Sequence, residues 1–494
     1  MRPDQNSPPN ALAQGPNGSD TPQAYEAESV DGQTQESGFP PSDEIVLEAA
    51  EAELRNAIDQ LNSEHFVSTE GGNTYVFKEA FDYELKLKRL EKMSFEAFRQ
   101  LWATTSVRVL NGHDRDGKPR FVSKPLAHVW LNSPRRRTFT HGMALLPDAS
   151  DLPYGVYNLW RGWGCKPKEG ATVWQVKPAL RHIFTVVCAK NKRAFRYLLG
   201  WLAWAIQNPD LQAEVAIVLI GGRGTGKGTL GRWVRDLFGA HGIHITHPRH
   251  LTGNFNAHLR STLFAFVDEA FFAGDKAGNS VLKALITEDQ VAIEKKGIDT
   301  IPIRNRLKIL MATNDAHAVL AGADERRYLV LEVSDCYKQD KPYFRGLNAW
   351  WNAGGKETLL GFLMALDLSG FEIRSIPDTT ALESQKTESL DDVDKWLLGV
   401  LAEGRWSFER EWQSNVTRRA VIQSLDDYAR AHNRHYVNSN PVSVGKRLRK
   451  HLDIGTGQET IGDRPKTWTF PNLDDARKQF SESLGLKHFD WDAI

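Results

Sequence analysis

The stretch VLIGGRGTGKGTLGRW, residues 218–233, runs from an apolar strand through a glycine-rich turn ending in Lys227 and on into a helix. Gly221, Gly226 and Lys227 carry the spacing of a phosphate-binding loop, in which backbone N–H groups wrap a triphosphate at a helix N-terminus. The nucleotide-binding candidates are therefore Gly221, Gly222, Arg223, Gly224, Thr225, Gly226, Lys227, Gly228 and Thr229. Gly228 stands where such loops carry Ser or Thr, and the hydroxyl comes one residue late, at Thr229. Either Thr229 serves the Mg²⁺ that accompanies ATP, or that metal is held through water.

The stretch STLFAFVDEAFF, residues 261–272, is an apolar strand closing on Asp268 and Glu269. A strand parallel to that of the loop delivers both acids to the phosphates, where Asp268 can hold Mg²⁺ and Glu269 can polarise the attacking water. A small-molecule kinase has no need of that second acid, so the pair points to hydrolysis. A further strand, LKILMATNDAH at 307–317, closes on Thr313 and Asn314, and an amide there can sense the nucleotide and orient water. Between these strands, residues 287–306 alternate, turn at Gly297 and alternate again, a hairpin with Lys295 and Lys296 near its tip. Then Arg326 and Arg327 precede one more strand. With Asp324 and Glu325 beside them they read as surface ion pairs of small value, or as arginines reaching a neighbouring subunit's ATP site.

Phosphate loop, FVDEA, lysine-tipped hairpin, ATN and ERRY follow one another within about 100 residues. That order resembles the superfamily 3 helicase core, most closely the helicase domain of phage and poxvirus-type primase-helicases. YNLWRGWG, YLLGWLAWAIQNP and FNAHL add to the resemblance, which covers roughly 150–335. It implies Lys227 on the β- and γ-phosphates, Asp268 at Mg²⁺, Glu269 as base, Asn314 as sensor and Arg326 or Arg327 as an arginine finger acting in trans. Lys295 or Lys296 would touch DNA in a central channel. A finger in trans needs a neighbour, so a closed ring follows, expected to be a homo-hexamer. The implied activity is ATP-driven movement on single-stranded and forked DNA. The alternatives are an ATP-switched replication initiator or loader and, more remotely, a small-molecule kinase.

The elements that hold these residues give an α/β expectation: an AAA+-type P-loop ATPase core with a small α+β N-terminal region and a C-terminal winged-helix-like domain. Residues 1–44 are polar, rich in Pro, Gly, Ser and Gln and nearly free of large aliphatics, and are expected to be disordered. Residues 45–150 form the N-terminal region, opening with a short acidic helix over 45–61, and residues 62–150 hold neither the length nor the acid cluster of a priming domain. A primase or polymerase would be a separate partner. Residues 151–210 are a helical lead-in, with Phe195, Leu198, Leu199, Leu202 and Ile206 on one helix face ahead of Pro209; Trp160, Trp163, Trp201 and Trp204 read as core. Residues 211–380 are the ATPase core and 381–494 the C-terminal domain. There Thr417 caps a helix, and a second helix carries Lys446, Arg447, Arg449 and Lys450 ahead of a β-wing.

The whole chain balances 62 bases against 62 acids, but residues 1–60 hold twelve acids and only Arg2 and Arg55. The rest is basic by ten charges, which suits a polyanion. Cys165, Cys188 and Cys336 make no metal-ligand spacing. No apolar run approaches the ~20 residues of a membrane span, and the expected location is the cytoplasm of a bacterial host, with the gene on a phage or prophage.

Overall fold

The computed structural model describes residues 42–491 except 85–86, 148–150, 248, 254–255, 270–275, 296–297, 408–409, 435 and 459–463. The expected polar tail lies almost wholly outside these residues. The acidic helix is longer than expected, Asp43–Glu64.

The described chain divides into two units. The smaller joins residues 42–54 to 108–122, the first half of that helix and most of a hairpin of strands Ser106–His113 and Pro119–Pro125. Arg108 ties them by pairing with Glu53 at 2.7 Å. The larger unit holds everything else. Its N-terminal part is a four-stranded sheet in the order Leu87–Met93, Asn73–Asp82, His65–Glu70, Thr138–Phe139. The basic run at 86–92 is thus largely a strand, with Lys92 over the Tyr75 ring and paired with Glu70 at 2.7 Å.

The centre of the larger unit is a five-stranded sheet with every pairing parallel. Its strands are β1 Ala216–Ile220, β2 Gly242–Ile245, β3 Phe264–Asp268, β4 Lys308–Thr313 and β5 Tyr328–Glu332, in the spatial order β2-β3-β4-β1-β5. Side chains alternate between faces. Ile217, Leu219, Phe264, Phe266, Leu310, Ala312, Leu329 and Leu331 enter one core cluster; Val218, Ala265, Val267, Ile309, Met311 and Val330 enter another. A sheet covered on both faces explains why these strands read as continuous apolar runs. Helix α1, Lys227–Phe238, follows the phosphate loop and packs Leu230, Val234 and Leu237 into the first cluster. The helix Lys192–Gln207, capped by Asn191, joins the same cluster; Trp201 is fully buried, and Trp160, Trp163 and Trp204 pack against it half-buried.

Residues 392–486 form a third core around Trp396, Trp406, Trp468 and Phe480. Thr417 caps helix Arg418–Ala431, helix Pro441–His451 follows, and a three-stranded antiparallel sheet runs in the order Asn415–Thr417, Lys466–Thr469, Gly455–Gln458.

Candidate functional site

Strands β1, β4 and β3 all end at the same edge of the sheet, and their last residues make the site. The phosphate loop after β1 turns through Gly226 at φ +109°, and a Cβ there would stand 2.7 Å from His182 and 3.1 Å from Phe344. Conformation and space both require glycine. Lys227, 7% exposed, donates from Nζ to the carbonyls of Gly221 at 2.5 Å and Gly222 at 2.8 Å and to Oδ1 of Asn314 at 3.0 Å. Burial pulls its ammonium below the usual lysine range, and the carboxylates of Asp268 and Glu269 oppose that pull.

Strand β4 lies between the loop strand and the acid strand, and its register sets Asp268 beside Ala312. Asn314, just beyond β4, therefore bridges the two sides: its Nδ2 donates to Oε1 of Glu269 at 2.6 Å while its Oδ1 accepts from Lys227. Glu269 sits at φ +57°, a left-handed conformation that non-glycine residues adopt at a cost. Its backbone N–H donates to the Ala312 carbonyl at 2.8 Å, which pins it there. Asp268 faces His244 at 3.6 Å, and burial keeps that imidazole below its ordinary pKa despite the carboxylate.

These groups open on a cavity of about 810 Å³ lined by loop residues 223–229 and by Arg232, Asp268, Glu269, Asn314, Gln339, Lys341, Phe344, Arg345 and Asn348. Gly221 and Gly222 line a neighbouring hollow instead and serve through their carbonyls on Lys227. The missing hydroxyl at 228 also has a physical context: a Cβ there would meet Nη1 of Arg232 at 2.8 Å. Arg232 lies one helical turn on and covers the glycine. That i, i+4 relation was readable from the sequence. Lys341, Arg345 and Asn348 share one face of helix Lys341–Trp350, over 100 residues downstream, and only the fold brings them to the cavity.

His182 stands behind the loop. Its Nε2 lies 3.3 Å from the Gly226 carbonyl and its Nδ1 lies 3.1 Å from the Tyr343 hydroxyl. Burial pushes its pKa down to about 4, against the raising effect of the Gly226 carbonyl.

Arg326 and Arg327 precede β5, whose first residue pairs with the start of β1. They stand at the far end of the sheet, one five-residue strand or about 16 Å from the loop, and line no part of the cavity. Arg327 is occupied by Glu325, through its N–H at 2.9 Å and Nη1 at 3.3 Å. The Arg326 side chain is exposed.

The hairpin forms from Gln290–Lys295 and Ile298–Arg304. Asn256 of the FNAHL stretch clamps it, donating to the Ala292 carbonyl at 2.9 Å and accepting from the Glu294 N–H at 2.8 Å. Lys296 lies outside the described residues, as does the side chain of Lys295. In the C-terminal domain Lys446, Arg449 and Lys450 are exposed. Arg447 is not available in the same way: its guanidinium grips Asp394 at 2.7 Å and also pairs with Asp391.

Residues 219–327, from the end of the loop strand to Arg327, match a protein family of unknown function, DUF5906. The chain is related to a phage replication enzyme. That relative is the DNA primase-polymerase of Nitratiruptor phage NrS-1, 24% identical over 229 residues, which are 45% of this chain and 30% of the relative. The match thus spans less than a third of the relative's length. Two solved apo structures of the NrS-1 C-terminal region share the fold. One aligns with a TM-score of 0.57 at 14% identity, over 83% of this chain and 98% of that one; the other gives the same score and identity over 85% and 99%. Among the described residues no helix is long and apolar enough to cross a membrane.

Proposed function

We propose that this chain is an ATP-hydrolysing DNA helicase of phage replication, of the superfamily 3 type with an AAA+-like core, working as a ring on single-stranded and forked DNA. The observation that carries the reading is the Lys227–Asn314–Glu269 chain of hydrogen bonds across three strand ends, facing a cavity rimmed by Arg223, Arg232, Lys341 and Arg345. The relation to a phage DNA primase-polymerase supports the replication setting.

In this reading Lys227 and the loop N–H groups hold the β- and γ-phosphates of ATP, and Lys227 exchanges its carbonyl partners for phosphate oxygens. Asn314 then reports the γ-phosphate to Glu269, which accepts the proton of the attacking water. Asp268 and Thr229 both line the cavity and fit a Mg²⁺ that arrives with the nucleotide; the cation would neutralise charge on the phosphates. Arg326, exposed and distant from its own cavity, is the better placed finger for a neighbour's site, so the active form is a homo-oligomeric ring, here taken as a hexamer. Lys295 and Lys296 contact DNA in the channel, and Lys446, Arg449 and Lys450 present a basic helix of a winged-helix-like domain to DNA. A separate primase or polymerase supplies primers.

ATP hydrolysis with and without single-stranded DNA tests the reading. Glu269→Gln keeps ATP binding and loses turnover; undiminished turnover removes Glu269 from its role. Arg326→Ala and Lys227→Ala are each inactive, and mixing them restores part of the activity, because each contributes the half-site the other lacks. A mixture that assembles but stays inactive places the arginine within its own subunit.

A further inference from the structure

A pit of about 560 Å³ lies away from the nucleotide cavity, lined by Val173, Trp174, Leu180, Phe184 and Phe195 and the stems of four bases. Trp174 is 79% exposed and Val173 59%, large apolar side chains left in water at the mouth of an apolar hollow. Phe184 and Phe195 meet edge to face at 5.3 Å and form its floor. The bases are Lys177, Arg181, Lys192 and Arg196, and no acid lines the pit. Lys177 and Arg181 are four residues apart on one helix and Lys192 and Arg196 four apart on another. Like charges at that spacing repel. Arg181 is occupied by Tyr337, donating to its hydroxyl at 2.8 Å. Lys177 stands over the Trp174 ring at 5.3 Å. Among the described residues no carboxylate pairs with Lys177, Lys192 or Arg196.

An apolar hollow ringed by unneutralised cations selects an anionic ligand with a bulky apolar group. A nucleic acid and an acidic peptide both answer that description, and the floor separates them. It offers no hydrogen-bonding side-chain group, so an inserted nucleobase would leave its polar edge unpaired, at a real cost. A phenylalanine, leucine or isoleucine side chain has no such edge. We propose that this pit docks an acidic peptide segment of a partner protein, one apolar side chain entering between Trp174, Leu180 and Phe195 while flanking carboxylates meet Lys177, Lys192 and Arg196.

Fluorescence anisotropy of the full chain with a labelled polyaspartate peptide carrying a single phenylalanine tests this. The peptide should bind, and replacing its phenylalanine by alanine should weaken binding roughly tenfold, the loss of a pocket anchor. Trp174→Ala and Arg196→Glu, both at exposed positions, should each weaken it comparably and leave ATP hydrolysis unchanged. Added salt should weaken the complex. Equal affinity for the alanine peptide, or binding untouched by either substitution, overturns the proposal. Labelled oligothymidylate whose binding is lost in Trp174→Ala would make the pit a nucleic-acid site instead. Tighter binding of a peptide of residues 20–41 of this chain would make the occupant its own segment, which also overturns a separate partner.

Discussion

Replacing Arg447 by alanine should destabilise the C-terminal domain and not merely weaken DNA binding. The Asp394 side chain is only 2% exposed and receives Arg447 Nε at 2.7 Å, with His451 Nε2 at 3.2 Å. Burial acts most strongly on its carboxyl and would raise the pKa, but the contacts with His451 and Arg447 outweigh it and hold it below the usual range. Removing one partner of a buried ion pair leaves an uncompensated charge, at about 3–5 kcal/mol. The Arg447 side chain is itself 34% exposed, so water repays part of the loss and the lower end applies, about 3 kcal/mol. For a domain near 100 residues that is a fall in Tm of roughly 12–24 °C. Differential scanning calorimetry of the full chain should show the shift in one transition. Arg449→Ala, at an exposed neighbour, should change stability by no more than about 0.5 kcal/mol. An Arg447→Ala protein that melts with the wild type and binds DNA weakly would refute the assignment and restore Arg447 to the DNA-facing set.

Three further outcomes follow from the nucleotide site. Gly228→Ser should fold normally, since the added Cβ meets only the far end of the Arg232 side chain, and titration should show hydrolysis at lower Mg²⁺ than wild type; Arg232→Ala should raise the KM for ATP roughly tenfold, the loss of about 1.4 kcal/mol of phosphate binding, and an unchanged KM would take Arg232 out of the site. His182, with its pKa pushed down to about 4, binds a proton more readily unfolded than folded, so its contribution is complete above about pH 6.5 and is lost as pH falls toward 4, about 3 kcal/mol in all; denaturant midpoints measured across that range should fall less steeply in His182→Gln, and parallel curves would show that this imidazole is not buried neutral.

The parts of the site legible in the sequence are those that a strand end fixes locally. Lys227, Asp268, Glu269 and Asn314 each close an apolar strand or loop, and parallel strands bring such ends to one edge whatever their order. The order itself was not legible: that β4 separates the acid strand from the loop strand, letting Asn314 hold Lys227 and Glu269 together, depends on long-range pairing. Lys341 and Arg345 were missed because their helix follows the last strand and returns to the cavity only through the packing of the fold. Gly221 and Gly222 match the motif by type, but their carbonyls face the lysine. Arg447 reads as one of a row of bases; its distinction comes from Asp391 and Asp394, more than 50 residues earlier.

In the proposed function, hydrolysis at the Lys227–Asn314–Glu269 site moves the protein along DNA. A forked duplex with one labelled strand, incubated with the full chain and Mg²⁺, measures that directly. Strand displacement is expected with ATP, none with a non-hydrolysable analogue and none by Glu269→Gln. ATP hydrolysis that is stimulated by DNA yet displaces no strand from any fork would contradict that function and leave an ATP-switched loader in its place.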